Sequence, residues 1–270
     1  MRILHVHNVA YVAETLVKAL CSLGVDAIFV EAPTKEAVAW ADIVHAHYAL
    51  NRKTLRALAY ARRMAKPFVL HHHGSDVRVV TAHEMRPLPM HYAAVSRYVR
   101  RRSAHLFLAT PDLTRFSEGE YIPNPVDIEL FHPMNVPKTD RVLICGRQVK
   151  DSRLPLFIDA KKEYDCINTG YPLSLPKNVR LCPVVPRPEF PIFLNRYKMM
   201  IGAIGDLITM ARLEAMSCGL RTFSDFDPSY CDFYGGTNPD TVEEPRGFAE
   251  RYHDPVKSAR RLIQVYETLL

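Results

Sequence analysis

The stretch Met199-Met-Ile-Gly-Ala-Ile-Gly-Asp-Leu-Ile-Thr-Met-Ala-Arg-Leu-Glu-Ala-Met-Ser-Cys-Gly219, continued by Leu220-Arg-Thr-Phe-Ser224, decides the fold class. Met199 to Ala203 is a short apolar run of strand length. Thr209 to Cys218 has helix-forming composition, and Gly219 stops it. Thr222 to Ser224 then returns as a strand. A strand, a helix and a second strand in this order predict a crossover unit of a parallel sheet.

The same rhythm runs outward in both directions. Upstream, Ile3 to Val6 reads as a strand. A helix from about Ala13 to Leu23 follows, with Leu16, Ala19, Leu20 and Leu23 on one face and Gly24 at its end. Strands are expected at Ala27 to Val30, Ile43 to Ala46, Pro67 to Leu70 and Leu106 to Ala109, with helices over 51 to 66 and 91 to 102. Tyr121 to Pro137 breaks the alternation, because Pro123, Pro125, Pro133 and Pro137 suit neither a ladder nor a helix interior. After this linker come strands at Val142 to Cys145, Tyr164 to Asn168 and Val179 to Cys182, and helices at Leu154 to Lys162 and about 188 to 196. Pro255 to Leu270 reads as a final amphipathic helix. The expectation is α/β, with two doubly wound halves: 1–132, and 133–270 with its last helix a candidate to pack back on the N-terminal half.

With 270 residues, 48% of them apolar and 24% charged, the chain can build one large core or two small ones. No apolar run approaches the roughly 20 residues of a membrane span, and the N-terminus carries no signal-peptide pattern, so a cytoplasmic protein is expected. Cys21, Cys145, Cys166, Cys182, Cys218 and Cys231 are scattered and form no C-x-x-C pair, which reads as buried thiols. The net charge of +6 is concentrated at Arg52, Lys53, Arg56, Arg62, Arg63 and Lys66, and at Arg97, Arg100, Arg101 and Arg102. These are either solvated helix faces or a surface drawn to anionic lipid. No motif organises base readout, so nucleic acid is not expected as a partner.

Ligands of open parallel sheets bind beyond the carboxyl ends of the strands, so the residues just after each strand carry the functional reading. The first such region is Ile43-Val-His-Ala-His-Tyr48 with Leu70-His-His-His-Gly-Ser-Asp76. Its histidines raise a metal site, yet no carboxylate partner accompanies them, and an H-x-H pair on a strand points both rings the same way for packing as well. A hydrogen-bonding role for His73 is preferred, and no metal ligands are assigned. The second is Cys145-Gly146-Arg147, with Lys150 and Arg153 behind it. The glycine lets backbone approach a ligand, and an arginine fork suits phosphate oxygens. The third is the opening stretch: Asp206 in the loop, then a helix N-terminus at Thr209 and Met210 that favours an anion, then Glu214 on the helix eight residues after Asp206.

These residues resemble the retaining GT-B glycosyltransferases of the family-4-like group. Asp206 and Glu214-Ala-Met-Ser-Cys-Gly-Leu220 are similar to the two acids eight apart followed by Ala-Met-Ala-Cys-Gly, with aspartate for the first glutamate. Ile122-Pro-Asn-Pro-Val-Asp127, Cys145-Gly-Arg147, Asp42-Ile-Val-His-Ala-His47, His73-Gly-Ser-Asp76 and the opening Met1-Arg-Ile-Leu-His-Val6 match in family order. Three further positions depart. The family's lysine after Gly-Arg falls at or near Ser152 or Arg153 here. His7-Asn-Val-Ala10 stands where the family has a glycine-rich loop, and Ile208-Thr209 where it has Phe-Gly.

The resemblance implies two Rossmann-like domains around an interdomain cleft, and sugar transfer with retention from a nucleoside-diphosphate sugar to a hydroxyl acceptor. No cofactor or obligatory metal is implied. Arg147 would meet the departing diphosphate, with Arg153, Lys150 in reserve, Gly146 and the backbone of Thr209 and Met210. Asp206 would hold sugar hydroxyls, Glu214 the ribose, and His73 would touch the transferred sugar. A lipid-linked or glycan acceptor, and a peripheral position at the inner membrane surface, follow from the basic N-terminal half. The alternative is a protein of this fold that binds nucleotide sugar or glycan without catalysis.

Overall fold

In the computed structural model, which describes residues 1–80, 85–145, 158–168, 175–202 and 208–270, the alternation of strands and helices becomes two parallel sheets. The chain divides into two compact units, Met1–Pro125 with Pro255–Leu270, and Val126–Asp254. The sequence places the division at 132/133. Val126 and Phe131 are both fully buried in the core of the second unit, which sets its first residues earlier.

The first unit begins with β1 (Arg2–Val6), α1 (Val12–Ser22), β2 (Asp26–Val30), α2 (Lys35–Trp40), β3 (Ile43–His47), α3 (Arg52–Arg63) and β4 (Phe68–His72). A small antiparallel pair follows, β5 (Arg78–Val80) and β6 (Met85–Pro87), then α4 (Met90–Arg100), β7 (His105–Leu108) and β8 (Glu120–Tyr121). The large sheet has the order β2-β1-β3-β4-β7-β8, parallel throughout. Period-two alternation splits its residues. Leu4, Val6, Val44, Ala46, Phe68 and Leu70 pack on one face with Val38, Leu58 and Val99 of the helices. The other face carries His5, His45, His47 and His71, all fully buried.

The second unit contains β9 (Val142–Ile144), β10 (Tyr164–Cys166), β11 (Val179–Leu181), α5 (Phe190–Asn195), β12 (Met199–Ile201), α6 (Met210–Ser217), β13 (Arg221–Phe223) and α7 (Pro245–Tyr252). The chain then returns to the first unit as α8 (Pro255–Leu269). The sheet order β11-β10-β9-β12-β13 is the doubly wound arrangement, grown outward both ways from its first strand. Gly219, at φ 84°, takes the left-handed conformation that ends α6 and lets β13 run parallel to β12.

Several expectations differ from what is observed. The helix read over Leu154 to Lys162 falls outside the described residues up to 157. From Ile158 onward the backbone is turn, because Asp159 Oδ1 accepts the Lys161 N–H (2.9 Å) and its carbonyl accepts that of Lys162 (3.0 Å). The helix at 188 to 196 is a 3-10 turn, Arg187–Glu189, followed by α5. Of the cysteines, Cys21 is exposed and Cys231 half-buried, and all six are free thiols. Among the described residues no helix is long and apolar enough to cross a membrane.

Candidate active site

In the second sheet the winding reverses between β9 and β12, and the carboxyl ends of the strands at such a switch point are where open parallel sheets bind their ligands. Gly146, Arg147, Lys150 and Arg153 follow β9, and Asp206 follows β12. All five lie outside the described residues. Beyond β12, Thr209 occupies the N-cap of α6 with extended backbone (φ −74°, ψ 157°), and its Oγ1 accepts the Arg212 N–H at 3.4 Å. A threonine cap of this kind stabilises a helix by about 1 kcal/mol. Met210 is the first helical residue, so the positive end of α6 opens at the two positions read from the sequence.

Glu214 lies one turn into α6 and is 3% exposed. Burial pushes its carboxyl up to about 7, against the opposing charge and hydrogen bond of Arg187. Arg187 Nη1 donates to Glu214 Oε1, and the same guanidinium lies over the Phe131 ring, 4.4 Å from its centroid. Glu214 therefore has a cationic partner that the sequence did not suggest. Nothing in the run Pro186-Arg-Pro-Glu189 signals a contact 27 residues away, since it depends on the 3-10 turn.

Neighbouring Arg212 is fully buried and is held by the Thr222 hydroxyl (2.9 Å), the Ser224 hydroxyl and the Asp240 carboxylate. Asp240 in turn accepts the backbone N–H groups of Ser224 (3.0 Å) and Phe226 (2.7 Å). This polar network fastens α6 to β13. Gly202, at the end of β12, lies against the Arg212 stem: an added Cβ would sit 3.2 Å from Arg212 Cδ.

In the first unit the parallel register aligns His5 with His45 and His47 with His71 on neighbouring strands. With His73 just beyond β4, this brings five imidazoles to one face of the sheet. His5 and His47 share a hydrogen bond of 3.0 Å, His47 Nδ1 and His73 Nε2 one of 2.9 Å, and His45 Nδ1 one with the hydroxyl of Tyr266 on α8. Burial holds these rings neutral. It pulls His5 down to about 3 and His73 to about 4, and His45, His47 and His71 lie well below the usual imidazole range. His71 has neither ring nitrogen paired among the described residues, a cost of about 1–3 kcal/mol for an imidazole that must carry one N–H.

Asp76 shapes the loop that presents His73. It is fully buried and accepts hydrogen bonds from His72 Nδ1 (2.6 Å) and the N–H groups of Ala49 (2.9 Å), His73 (3.1 Å) and Gly74 (3.1 Å). Burial raises its carboxyl, but the charge and hydrogen bond of His72 and the Ala49 N–H outweigh burial and hold it at about 2. Gly74 takes φ 123°, which favours glycine. Each glycine-free turn at the end of β1 has its own solution: His7, Ala10 and Tyr11 adopt positive φ (65°, 49° and 66°), and Glu31 accepts from the Asn8 N–H at 3.1 Å.

The structure thus places Thr209, Met210 and Glu214 on one helix of the second unit and His73 among the histidines of the first. Of the basic clusters, Arg52, Arg56, Arg62 and Arg63 are exposed on α3. Those on α4 help line a cavity of about 580 Å³ formed by Arg97, Arg100, Arg101, Arg115, Phe116 and Glu118, among others.

No protein-family model matches the chain. No curated protein matches it by sequence. Solved structures do match in fold. Sucrose-phosphate synthase from Thermosynechococcus elongatus aligns over 100% of this chain and 99% of its own at 11% identity and a TM-score of 0.66. HepE from Anabaena, solved in complex with UDP-glucose, aligns over 100% of both chains at 12% identity and a TM-score of 0.65. UDP-GlcNAc 2-epimerase from Methanocaldococcus jannaschii aligns over 99% of this chain and 100% of its own at 11% identity and a TM-score of 0.51. The likeness is one of fold: two Rossmann-like units of the GT-B type.

Proposed function

We propose that this chain is a glycosyltransferase that moves a sugar from a nucleoside-diphosphate donor to a hydroxyl acceptor, with retention at the anomeric carbon. The observation that carries this reading is the capped N-terminus of α6, which opens behind β12 where the winding of the second sheet reverses. The whole-length fold likeness to a protein solved with UDP-glucose supports it.

The chemistry asks for stabilisation of negative charge on the departing diphosphate. In this reading the α6 N-terminus at Thr209 and Met210 receives the phosphates, and Arg147 and Arg153, with Lys150 in reserve, supply positive charge. Gly146 allows the close approach. The ribose hydroxyls bind Glu214, the sugar hydroxyls bind Asp206, and His73 contacts the transferred sugar. The acceptor oxygen attacks from the face the diphosphate leaves. The bond from the anomeric carbon to the diphosphate breaks as the new glycosidic bond forms, and the acceptor proton passes to the leaving phosphate. Protein cations and N–H donors do this without an obligatory metal or cofactor.

The acceptor is read as a lipid-linked or glycan hydroxyl, with the protein held at an anionic inner membrane surface from the cytoplasmic side by the arginines of α3 and α4. Liposome co-sedimentation that prefers anionic lipid and weakens with salt is the expected result, and no preference would remove this part of the proposal.

The test of the whole is a calorimetric screen of UDP, GDP, ADP and their sugar conjugates on wild type, Arg147→Ala and Glu214→Ala. Selective binding weakened in both variants is expected, and absence of all nucleotide binding would sink the reading. A second reading, sugar-nucleotide epimerase, is favoured by the fold match to such an enzyme. It predicts donor turnover with no acceptor present.

A further inference from the structure

The histidines on the first sheet are more numerous than one sugar contact requires. Mutual hydrogen bonding accounts for both nitrogens of His47 and for one each of His5 and His73, and Tyr266 accounts for one nitrogen of His45. It leaves His71, whose ring is fully buried with both nitrogens unpaired among the described residues. That ring lies between two others, its centroid 5.4 Å from His47 and 4.6 Å from His73. One nitrogen from each of these three rings lies within 4.8 Å of the other two.

We infer that His47, His71 and His73 form a binding site for one divalent transition-metal ion of the zinc, cobalt or nickel kind, at the carboxyl end of the first sheet. Metal–nitrogen distances of about 2.0–2.1 Å in a tetrahedral site put ligand nitrogens about 3.3 Å apart. The His47–His73 pair at 2.9 Å would open slightly, and His71 would close by rotating its ring. The donor set has three imidazoles and no carboxylate, which suits these ions and not magnesium or calcium. If Nδ1 of His47 holds the ion, its other nitrogen donates to His5 Nδ1, at 3.0 Å, and that bond fixes the ring as an outer partner fixes a ligating histidine. The alternative trio, His5, His45 and His47, is buried at every member, whereas His73 is partly exposed and gives the ion a way in. A three-ligand site leaves a fourth position for water or a ligand oxygen. The inference shares His73 with the transferase reading but does not rest on it, since the phosphate and ribose contacts of that reading belong to the second unit.

The test uses the full chain without a histidine tag, stripped with a chelator, exchanged into chelator-free buffer and titrated with Co²⁺ while its visible absorption is followed. One equivalent is expected to bind with the bands of a low-symmetry nitrogen site, to be displaced by Zn²⁺, and to be unaffected by excess Mg²⁺. His71→Leu and His73→Ala should each weaken metal binding by more than about 100-fold, while circular dichroism stays native and His71→Leu, which has no part in the donor site, leaves nucleotide binding unchanged. His71→Leu removes an unpaired imidazole and is expected to fold; should it fail to, the partly exposed His73→Ala decides alone. Less than a stoichiometric uptake by the wild type overturns the inference. So does binding that survives in the folded variants, or binding lost only in His45→Gln, which would belong to the other trio.

Discussion

Replacing Glu214 by glutamine should change how stability depends on pH, in a direction that the burial of this carboxyl fixes. The wild-type group is raised from its ordinary value of 4.5 to about 7 in the folded chain, so between these values the folded state holds a proton that the unfolded state has released. Folding is then favoured most below pH 4.5, and that advantage is lost as pH rises through 7. A shift of about 2.5 units at about 1.4 kcal/mol each amounts to roughly 3 kcal/mol. Glutamine keeps the shape and has no proton to lose. Urea unfolding of wild type and Glu214→Gln at a series of pH values from 4.5 to 8 measures the difference. The variant should gain on the wild type by up to about 3 kcal/mol across that range, whatever its stability at the starting point. The value of about 7 already includes the opposing pull of Arg187 on the ionised carboxylate. Parallel curves would refute the argument, and would mean that Arg187 offsets burial fully and keeps the carboxylate ionised throughout.

Arg212→Met should leave Asp240 buried without its cation and lower stability by about 3–5 kcal/mol, read as a large drop in melting temperature, with Asp240→Asn milder because it keeps a hydrogen-bonding group. Asp76→Asn tests the opposite linkage from Glu214. The depressed carboxyl contributes stability above its ordinary value of 3.8 that is lost as pH falls through about 2, so the gap between wild type and variant should shrink by roughly 2 kcal/mol on acidification from pH 5 to pH 2. Thr209→Ala should cost about 1 kcal/mol in unfolding experiments through loss of the cap, with Thr209→Ser close to wild type.

The sheets were legible because their strands are short apolar runs separated by turn-forming residues, and the crossover from Met199 to Ser224 is visible in composition alone. α2 was not, since only Val38 of its six residues is buried and one turn has no periodicity to detect. α7 begins at Pro245 after a run that reads as loop, and β5 with β6 spans too few residues for an alternation to register. At the candidate site, the anion-favouring end of α6 could be read, because a helix start follows from local chemistry. Glu214 could be seen as an acid on that helix but not as half of an ion pair, because its partner is brought in by a distant turn. The histidines show the same division. Each H-x-H alternation is local, whereas adding His5 and Tyr266 to the group requires the strand register and the return of the last helix.

That return also orders events during synthesis. The first 125 residues leave the ribosome early, but α8, whose Tyr266 reaches His45, is made only after residues 126–254. The nascent first unit must wait, with a histidine-lined sheet face lacking its cover, while the whole of 126–254 is translated and free to fold. The unit whose translation begins first is therefore completed only after the second, and a message cut short just before α8 would yield a complete second unit attached to an incomplete first.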